Sequence, residues 1–286
     1  MSKARTLRLL LLGVVATVST FLVYPAVRLL GKRRPRFTYA TGSLNAADYA
    51  RLANKPGWAP VSTVVSEGIL LKGLIRRPRA KRAPWVFFLP GNDANQLASG
   101  QDFLEQLRQR RDWGLFVTSY RGFDSSGGTP ARDSLVADAA RVYESLLERE
   151  KLTPSQVNIL AFSLGGYLAV SVVGQAARAN RVPATLSLLA SVESIEMVRA
   201  SWHQKLALGD VYETQPLLDS ITTPCLVIFG TGDEALGVAQ GRAIAKRLGS
   251  RAHYIEMPGV GHTELLASEP AMLEVRNWIE ASVVGS

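Results

Sequence analysis

One short segment, residues 159–166, restricts the fold of this chain more than any other. It reads Ile-Leu-Ala-Phe-Ser-Leu-Gly-Gly, so an apolar run ends in Ser163, with Ala161 two positions before it and Gly165 two positions after it. A serine on a sharp turn between a strand and a helix needs small neighbours, because its backbone is strained and larger side chains would collide with the helix. The segment therefore predicts either a nucleophile on such a turn or a serine that only caps a helix.

The sequence on both sides of Ser163 favours the turn. Residues 157–162 have the pattern of a buried strand, and residues 164–179 read as a helix with small residues where it must lie close to a sheet. In the architecture that contains this turn, an acid and then a histidine follow the serine along the chain. The chain supplies both residue types in that order.

Two later apolar strands end in loops that carry these residues. Residues 224–230 run into Thr-Gly-Asp-Glu, which places Asp233 directly after a strand. Residues 252–257 form another strand candidate, and the glycine-rich segment after it contains His262. Active sites of open α/β sheets lie at the carboxyl ends of the strands. We therefore expect Ser163, Asp233 and His262 to converge at that edge.

The three side chains suit one kind of chemistry. A serine hydroxyl attacks a carbonyl well only if a base removes its proton, and a histidine has a suitable pKa at neutral pH. A buried carboxylate holds that histidine in the correct tautomer and stabilises its protonated form. We therefore predict Ser163 as nucleophile, His262 as base and Asp233 as the carboxylate. The less favoured histidines and carboxylates are His203, His253, Asp210, Asp219 and Glu234.

Two further motifs make the chain similar to a known family. Residues 85–95 read Trp-Val-Phe-Phe-Leu-Pro-Gly-Asn-Asp-Ala-Asn, and residues 120–130 read Tyr-Arg-Gly-Phe-Asp-Ser-Ser-Gly-Gly-Thr-Pro. With the segments above, they resemble the α/β-hydrolases over residues 61–281, in particular the membrane-anchored serine hydrolases of the BEM46 and ABHD type. The resemblance implies a serine hydrolase without a cofactor. It also implies an oxyanion hole formed by the backbone N–H groups of Asn92 and Leu164.

The chain departs from the family's pattern at two positions. Pro90 stands where the family usually has a histidine before the glycine of its oxyanion loop, and Asp124 stands where a glycine is common. Pro90 lacks an N–H but precedes the expected donor, so the hole is expected to be intact. The two departures leave open a second reading, a membrane-tethered binding protein on a hydrolase fold that has lost activity.

The amino-terminal segment predicts a membrane anchor. Residues 9–23 carry no charge, and the apolar character continues to residue 30, interrupted only by Pro25 and Arg28. A helix of about 20 mainly apolar residues crosses the hydrocarbon core, so residues 7–30 are long enough if Arg28 reaches the interface. A cleaved signal peptide is the alternative, because basic residues precede the apolar run. The basic flank at residues 32–36 favours the anchor.

Charged residues next to this segment explain the basic composition. The formal net charge is +9, yet residues 1–36 hold eight Lys and Arg and no acidic residue, which leaves 25 basic against 24 acidic residues beyond. Such clusters attract anionic lipid headgroups. No pattern typical of a nucleic-acid, nucleotide or metal site is present. The basic residues flanking the span favour a cytoplasmic domain, although the orientation stays open. A second basic run, residues 72–82, is read as a solvated loop.

The rest of the chain predicts one α/β domain. After the anchor at residues 1–36 and a linker at residues 37–60, residues 61–286 alternate strands with helices, which indicates a mostly parallel sheet with helices on both faces. A short lid is expected at about residues 191–223. The resemblance implies acyl esters of lipid type, presented by the bilayer, as substrates. Thioesters, amides and peptides stay open, because the same three groups cleave them and the fold does not choose.

Overall fold

The structure, a computed structural model, describes residues 38–194 and 212–284. The predicted anchor at residues 7–30 lies outside the described residues, as do His203, Asp210 and residues 195–211 of the predicted lid. Within the two described ranges, no helix combines the length and the apolar character that crossing a bilayer requires.

One sheet of eight strands organises the described domain. The strands are β1 (Trp58–Val64), β2 (Leu70–Arg76), β3 (Trp85–Leu89), β4 (Gly114–Thr118), β5 (Val157–Phe162), β6 (Thr185–Leu189), β7 (Cys225–Gly230) and β8 (Ala252–Met257). The α-helices of the described ranges are α1 (Ala46–Ala53), α2 (Gln96–Arg108), α3 (Arg132–Glu150), α4 (Leu164–Arg178), α5 (Gln215–Leu218), α6 (Val238–Leu248) and α7 (Glu269–Val284).

The strand order places β5 in the interior of the sheet. The order is β1-β2-β4-β3-β5-β6-β7-β8. The pairs β1–β2 and β2–β4 are antiparallel, and all other neighbouring pairs are parallel. Every residue of β3 to β7 is buried, as expected for parallel strands covered on both faces. The predicted α/β architecture with a mostly parallel sheet is confirmed.

Element boundaries near Ser163 lie close to those predicted. The buried strand spans Val157–Phe162 and the helix after it ends at Arg178, one residue before the predicted end.

The segment assigned to a linker, residues 37–60, contains α1 and the start of β1. Asn45 caps α1 by accepting the Asp48 N–H at 2.8 Å. The folded domain therefore begins before residue 61.

The second basic run lies on β2 and in the turn that follows it. Lys72 lies over the ring of Tyr49, 5.0 Å from its centroid. Arg76 donates to the carbonyl oxygen of Pro56 at 2.6 Å, and Arg77 pairs with Glu150 at 2.7 Å. Residues 72–76 of the run thus belong to a strand in which Leu74 and Ile75 are buried, so the prediction of a loop is wrong for this part. Its basic side chains contact the domain itself.

A buried ion pair connects the loop after β4 (residues 119–131, the β4 loop) to α3. Nε and Nη2 of Arg121 donate to the two carboxylate oxygens of Asp138, both at 2.8 Å. The two side chains are 5% and 3% exposed. When one member of a buried pair is removed, the other is left as a buried charge without its counter-ion. The pair therefore holds the β4 loop against α3.

We predict that Asp138→Ala lowers the free energy of unfolding by about 3–5 kcal/mol, because it leaves Arg121 buried without its carboxylate. Asp133→Ala is the matched control on the same helix, since Asp133 is 86% exposed in its pair with Arg132. It should cost no more than about 1 kcal/mol. Urea unfolding measures both values, and equal losses would contradict a special role for the buried pair.

Candidate active site

Ser163 lies on the sharp turn that the sequence predicts. It is the single residue between β5 and α4, with φ +52° and ψ −118°. A positive φ is strained for a residue with a side chain. The Ser163 N–H donates to the carbonyl oxygen of Leu189 at 3.0 Å. A Cβ on Gly165 would lie 2.1 Å from the carbonyl oxygen of Leu89, so only glycine lets the helix begin this close to β3.

The geometry separates the two readings of Ser163. Ser163 occupies the N-cap position of α4, but its side chain makes no capping hydrogen bond within the described residues. Its Oγ lies instead 3.1 Å from Nε2 of His262. The serine is therefore oriented toward the histidine and away from the helix amides.

His262 and Asp233 complete a continuous hydrogen-bonded chain with Ser163. Nδ1 of His262 lies 2.8 Å from Oδ2 of Asp233. The Asp233 side chain is fully buried, and its Oδ1 accepts the N–H groups of Ala235 at 2.9 Å and Leu236 at 2.8 Å. The structure thus brings together all three residues predicted from the sequence.

The loops after β7 and β8 hold Asp233 and His262 at a fixed separation. The Gly232 N–H donates to the carbonyl oxygen of Val260, and the Gly259 N–H donates to Oγ1 of Thr231, at 3.0 Å and 2.8 Å. A Cβ on Gly230 would lie 1.9 Å from the Val260 oxygen, so the two loops are in close contact. The separation of the carboxylate and the imidazole is fixed by the backbone.

Electrostatics at the site keep Asp233 ionised. Burial disfavours its charged form, but the hydrogen bonds from His262 and from the Leu236 N–H outweigh burial and hold the pKa of Asp233 below its usual range. An ionised Asp233 accepts the Nδ1 proton, which assigns Nε2 of His262 as the acceptor that faces Ser163. The ring of Phe162 packs against the imidazole with 4.8 Å between centroids.

The segment after β3, residues 90–95, lies beside Ser163. We call it the β3 loop. A Cβ on Gly91 would lie 3.3 Å from Cβ of Ser163 and 2.9 Å from the ring of Phe162. Leu164 opens α4, so its N–H has no partner inside the helix. Of the two residues expected to form the oxyanion hole, Leu164 directly follows the serine and Asn92 directly follows Gly91 in the β3 loop.

Two side chains brace the β3 loop where the family's histidine is missing. Oη of Tyr120 donates to the carbonyl oxygen of Pro90 at 2.6 Å. Nε2 of Gln96 donates to the carbonyl oxygen of Gly91 at 2.9 Å, and its Oε1 accepts the Tyr120 N–H at 2.8 Å. Burial raises the pKa of Tyr120 well above its usual value, so its hydroxyl keeps the donated proton. The sequence motif contained Tyr120 without revealing this role, and nothing in the sequence marked Gln96.

Asp124, the second departure from the family's pattern, anchors α2. Its φ is +45°, a conformation that favours glycine and that Asp adopts more readily than most residues. Its Oδ2 accepts the Leu97 N–H at 2.6 Å in the first turn of α2. Among the described residues, its Oδ1 is buried without a hydrogen-bond partner. Burial, opposed by the Leu97 bond and reinforced by the charge of Asp93, raises the pKa of Asp124 to about 6.

The less favoured candidates that the structure describes lie away from this chain of hydrogen bonds. His253 is exposed on β8 and stacks on Trp278 with 5.8 Å between centroids. Asp219 pairs with Arg247. Glu234 is exposed beside the buried Asp233. Position in the fold therefore distinguishes Asp233 and His262 from their competitors.

Comparisons with known proteins find sequences similar to this chain. A sequence model described as alpha/beta hydrolase fold matches residues 84–214. The chain is 29% identical over 178 residues to an uncharacterised protein of Mycobacterium tuberculosis, covering 60% of this chain and 62% of the relative. It is 29% identical over 190 residues to alpha/beta hydrolase domain-containing protein 17B of Xenopus tropicalis, covering 66% of this chain and 62% of that protein.

The chain is similar to the α/β-hydrolase superfamily, and these matches support its membership. It resembles the ABHD-type proteins within it, and it spans about 62% of the length of the two curated relatives. The solved esterase Pf2001 of Pyrococcus furiosus has the same fold, with a TM-score of 0.68 at 14% identity over 87% of this chain and 98% of that one.

We predict that Asp124→Asn removes one component of the pH dependence of stability. The native state keeps the Asp124 proton up to pH about 6, whereas the unfolded chain loses it near pH ~4. The native state therefore binds more protons in this window, and the contribution of Asp124 to the free energy of unfolding falls as pH rises through it. Asn retains an oxygen for the Leu97 N–H and does not ionise.

Urea unfolding of both proteins from about pH 4 to about pH 7 measures this effect. The free energy of unfolding of the wild type minus that of Asp124→Asn should fall by roughly 2 kcal/mol across the range. A difference that stays constant with pH would show that Asp124 does not titrate there.

Proposed function

We propose that this protein is a membrane-anchored serine hydrolase that cleaves carboxylic esters, in particular acyl esters of lipid type, through an acyl-enzyme intermediate. The observation that carries the proposal is the hydrogen-bonded chain Ser163–His262–Asp233 at the carboxyl edge of a parallel sheet. A complete chain of this kind favours catalysis over a binding protein that has lost activity.

The catalytic steps follow from these contacts. Oγ of Ser163 attacks the ester carbonyl while its proton passes to Nε2 of His262. His262 gives that proton to the leaving alcohol as the C–O bond breaks, and the acyl group stays on Ser163. A water molecule then attacks the acyl group, its proton passes through His262 back to Ser163, and the free acid leaves. Asp233 stays ionised and stabilises the protonated imidazole.

The tetrahedral intermediates place negative charge on the carbonyl oxygen. In the proposal, the N–H groups of Asn92 and Leu164 donate to this oxygen. Support comes from the position of Gly91 beside Ser163 and from the start of α4 at Leu164. The bonds from Tyr120 and Gln96 support a rigid loop, which such donors need because they must be oriented before the reaction.

The membrane part of the proposal comes from the sequence. Residues 7–30 would anchor the chain, and the basic residues at both ends of this span would bind anionic lipid headgroups. Their distribution favours a domain on the cytoplasmic side. An anchored hydrolase meets lipid acyl esters in the bilayer, and the Pyrococcus furiosus protein of similar fold is named an esterase.

The test is hydrolysis of an acyl-ester series from acetyl to palmitoyl by the full chain in detergent micelles. Turnover with an optimum at long acyl chains would support lipid esters, and an optimum at acetyl would favour small esters. A folded protein without turnover on any ester would overturn the ester proposal. Thioester and amide substrates, run in parallel, then distinguish another hydrolase from a non-catalytic binding protein.

We predict that Ser163→Ala abolishes ester turnover, a loss on the order of 10⁶-fold in kcat, because no other group takes the place of the nucleophile. The same variant should no longer react with a fluorophosphonate probe. In-gel detection of the probe on both proteins measures this. Labelling that persists in Ser163→Ala would place the nucleophile elsewhere.

We predict that Asp233→Asn lowers kcat by about 10⁴-fold, since an amide cannot hold His262 in the required tautomer or stabilise its protonated form. Glu234→Gln is the matched control, because it removes an exposed carboxylate one residue further along the chain. Steady-state kinetics on one ester should leave the control near the wild-type rate. Equal losses in both variants would contradict the assignment of Asp233.

A further inference from the structure

The chain segment before α1, residues 39–44, lies across the loops that surround Ser163. We call it the N-terminal strip. It reads Tyr-Ala-Thr-Gly-Ser-Leu, and it belongs to no helix or strand. It contacts the β3 loop, the β4 loop and Tyr212. The strip has no regular secondary structure of its own, and these contacts with three separate parts of the protein hold it in place.

The contact with the β3 loop involves Asn92 directly. The Ala40 N–H donates to Oδ1 of Asn92 at 2.8 Å. Two residues further along the strip, a Cβ on Gly42 would lie 2.2 Å from the carbonyl oxygen of Ala94. The strip therefore packs against the backbone of the β3 loop, and at the same time it fixes the side chain of the residue whose N–H is proposed as an oxyanion donor.

The two ends of the strip are fixed to other elements around the site. Oη of Tyr39 and Oη of Tyr212 are 2.6 Å apart, and Tyr212 is fully buried. The ring of Tyr212 contacts the ring of Tyr167, one turn along α4 from Ser163, with 4.9 Å between centroids. At the other end, Oγ of Ser125 donates to the carbonyl oxygen of Leu44 at 2.5 Å. The strip is thus held at both of its ends.

We propose that the N-terminal strip is part of the active site and that it positions the Asn92 N–H for the developing oxyanion. This inference rests on the proposed function. Tyr120 and Gln96 hold the carbonyl groups of Pro90 and Gly91 from within the domain. The strip contacts the next residues of the β3 loop, Asn92 and Ala94. Between them, the peptide that carries the Asn92 N–H is fixed on both sides.

Fixing this peptide matters because the rate depends steeply on donor geometry. Loss of an oxyanion donor costs ~10²- to 10³-fold in kcat. If the donor is present but imperfectly oriented, the loss in kcat should be smaller. Along the chain, the strip follows the basic flank of the predicted anchor after two residues. Asn92 and Gly42 are accordingly positioning residues, acting through the backbone of the β3 loop.

The test compares three variants of the full chain. Asn92→Ala removes the acceptor of the Ala40 bond but keeps the Asn92 N–H. Gly42→Ala changes no residue of the β3 loop, and its added Cβ must displace the strip from Ala94. Asn45→Ala is the matched control, because it removes the cap of α1 next to the strip without touching the β3 loop.

We expect Asn92→Ala and Gly42→Ala each to lower kcat about 10-fold, less than the loss of a donor, with KM unchanged within about twofold. Each variant should also bind a trifluoromethyl ketone more weakly, by the same factor by which kcat falls, because this inhibitor forms an oxyanion on Ser163. The pH profile should not move, because His262 is untouched. Asn45→Ala should lower the melting temperature and leave kcat at the wild-type value.

A second measurement separates failure of this inference from failure of the proposed function. Hydrogen–deuterium exchange should be faster in the β3 loop of Gly42→Ala than in the wild type or in Asn45→Ala, whether or not any ester is turned over. Unchanged exchange in that loop would overturn the inference that the strip rigidifies the β3 loop. Unchanged kcat in Asn92→Ala and Gly42→Ala, or an equal loss in Asn45→Ala, would overturn its catalytic role. A wild type that hydrolyses no ester would contradict the proposed function instead. The exchange result would still show whether the strip rigidifies the β3 loop.

Discussion

The backbone of Ser163 is the constraint on which the rest of the site depends. A serine with φ +52° cannot relax, because its N–H is bonded to the strand beside it and the following helix begins in contact with the end of β3. β5 pairs in parallel with β3 on one side and with β6 on the other, which immobilises the strand that leads into the turn. The hydroxyl therefore has a fixed position against which the other groups are aligned.

Three loops reach this fixed point by different means. The loops after β7 and β8 are joined by backbone hydrogen bonds at glycine contacts, so the carboxylate and the imidazole arrive as one unit. The β3 loop depends instead on side chains from elsewhere, namely Tyr120, Gln96 and the N-terminal strip. The fixed separation of carboxylate and imidazole preserves the hydrogen bond that orients His262, and the contacts on the β3 loop hold the proposed donor in place before charge develops.

The sequence predicted those parts of the fold that are encoded locally. Buried parallel strands read as apolar runs, and the order of serine, acid and histidine along the chain indicates Ser163, Asp233 and His262. The contacts that brace the β3 loop were missed because they join residues far apart in the chain and leave no periodic signal. Helix α1 was assigned to a linker, although Asn45 and Asp48 form a recognisable cap. Long-range loop packing of this kind becomes visible only in three dimensions.

The assignment of Ser163 as the nucleophile is tested most directly by trapping the covalent intermediate. The enzyme is quenched in acid during turnover of a slowly deacylated ester, digested, and examined by mass spectrometry. If Ser163 forms an acyl-enzyme, the peptide that contains it gains the mass of one acyl group, and the gain disappears as the substrate is exhausted. Steady turnover in which that peptide is never acylated, or acylation of a different residue, would contradict nucleophilic catalysis by Ser163.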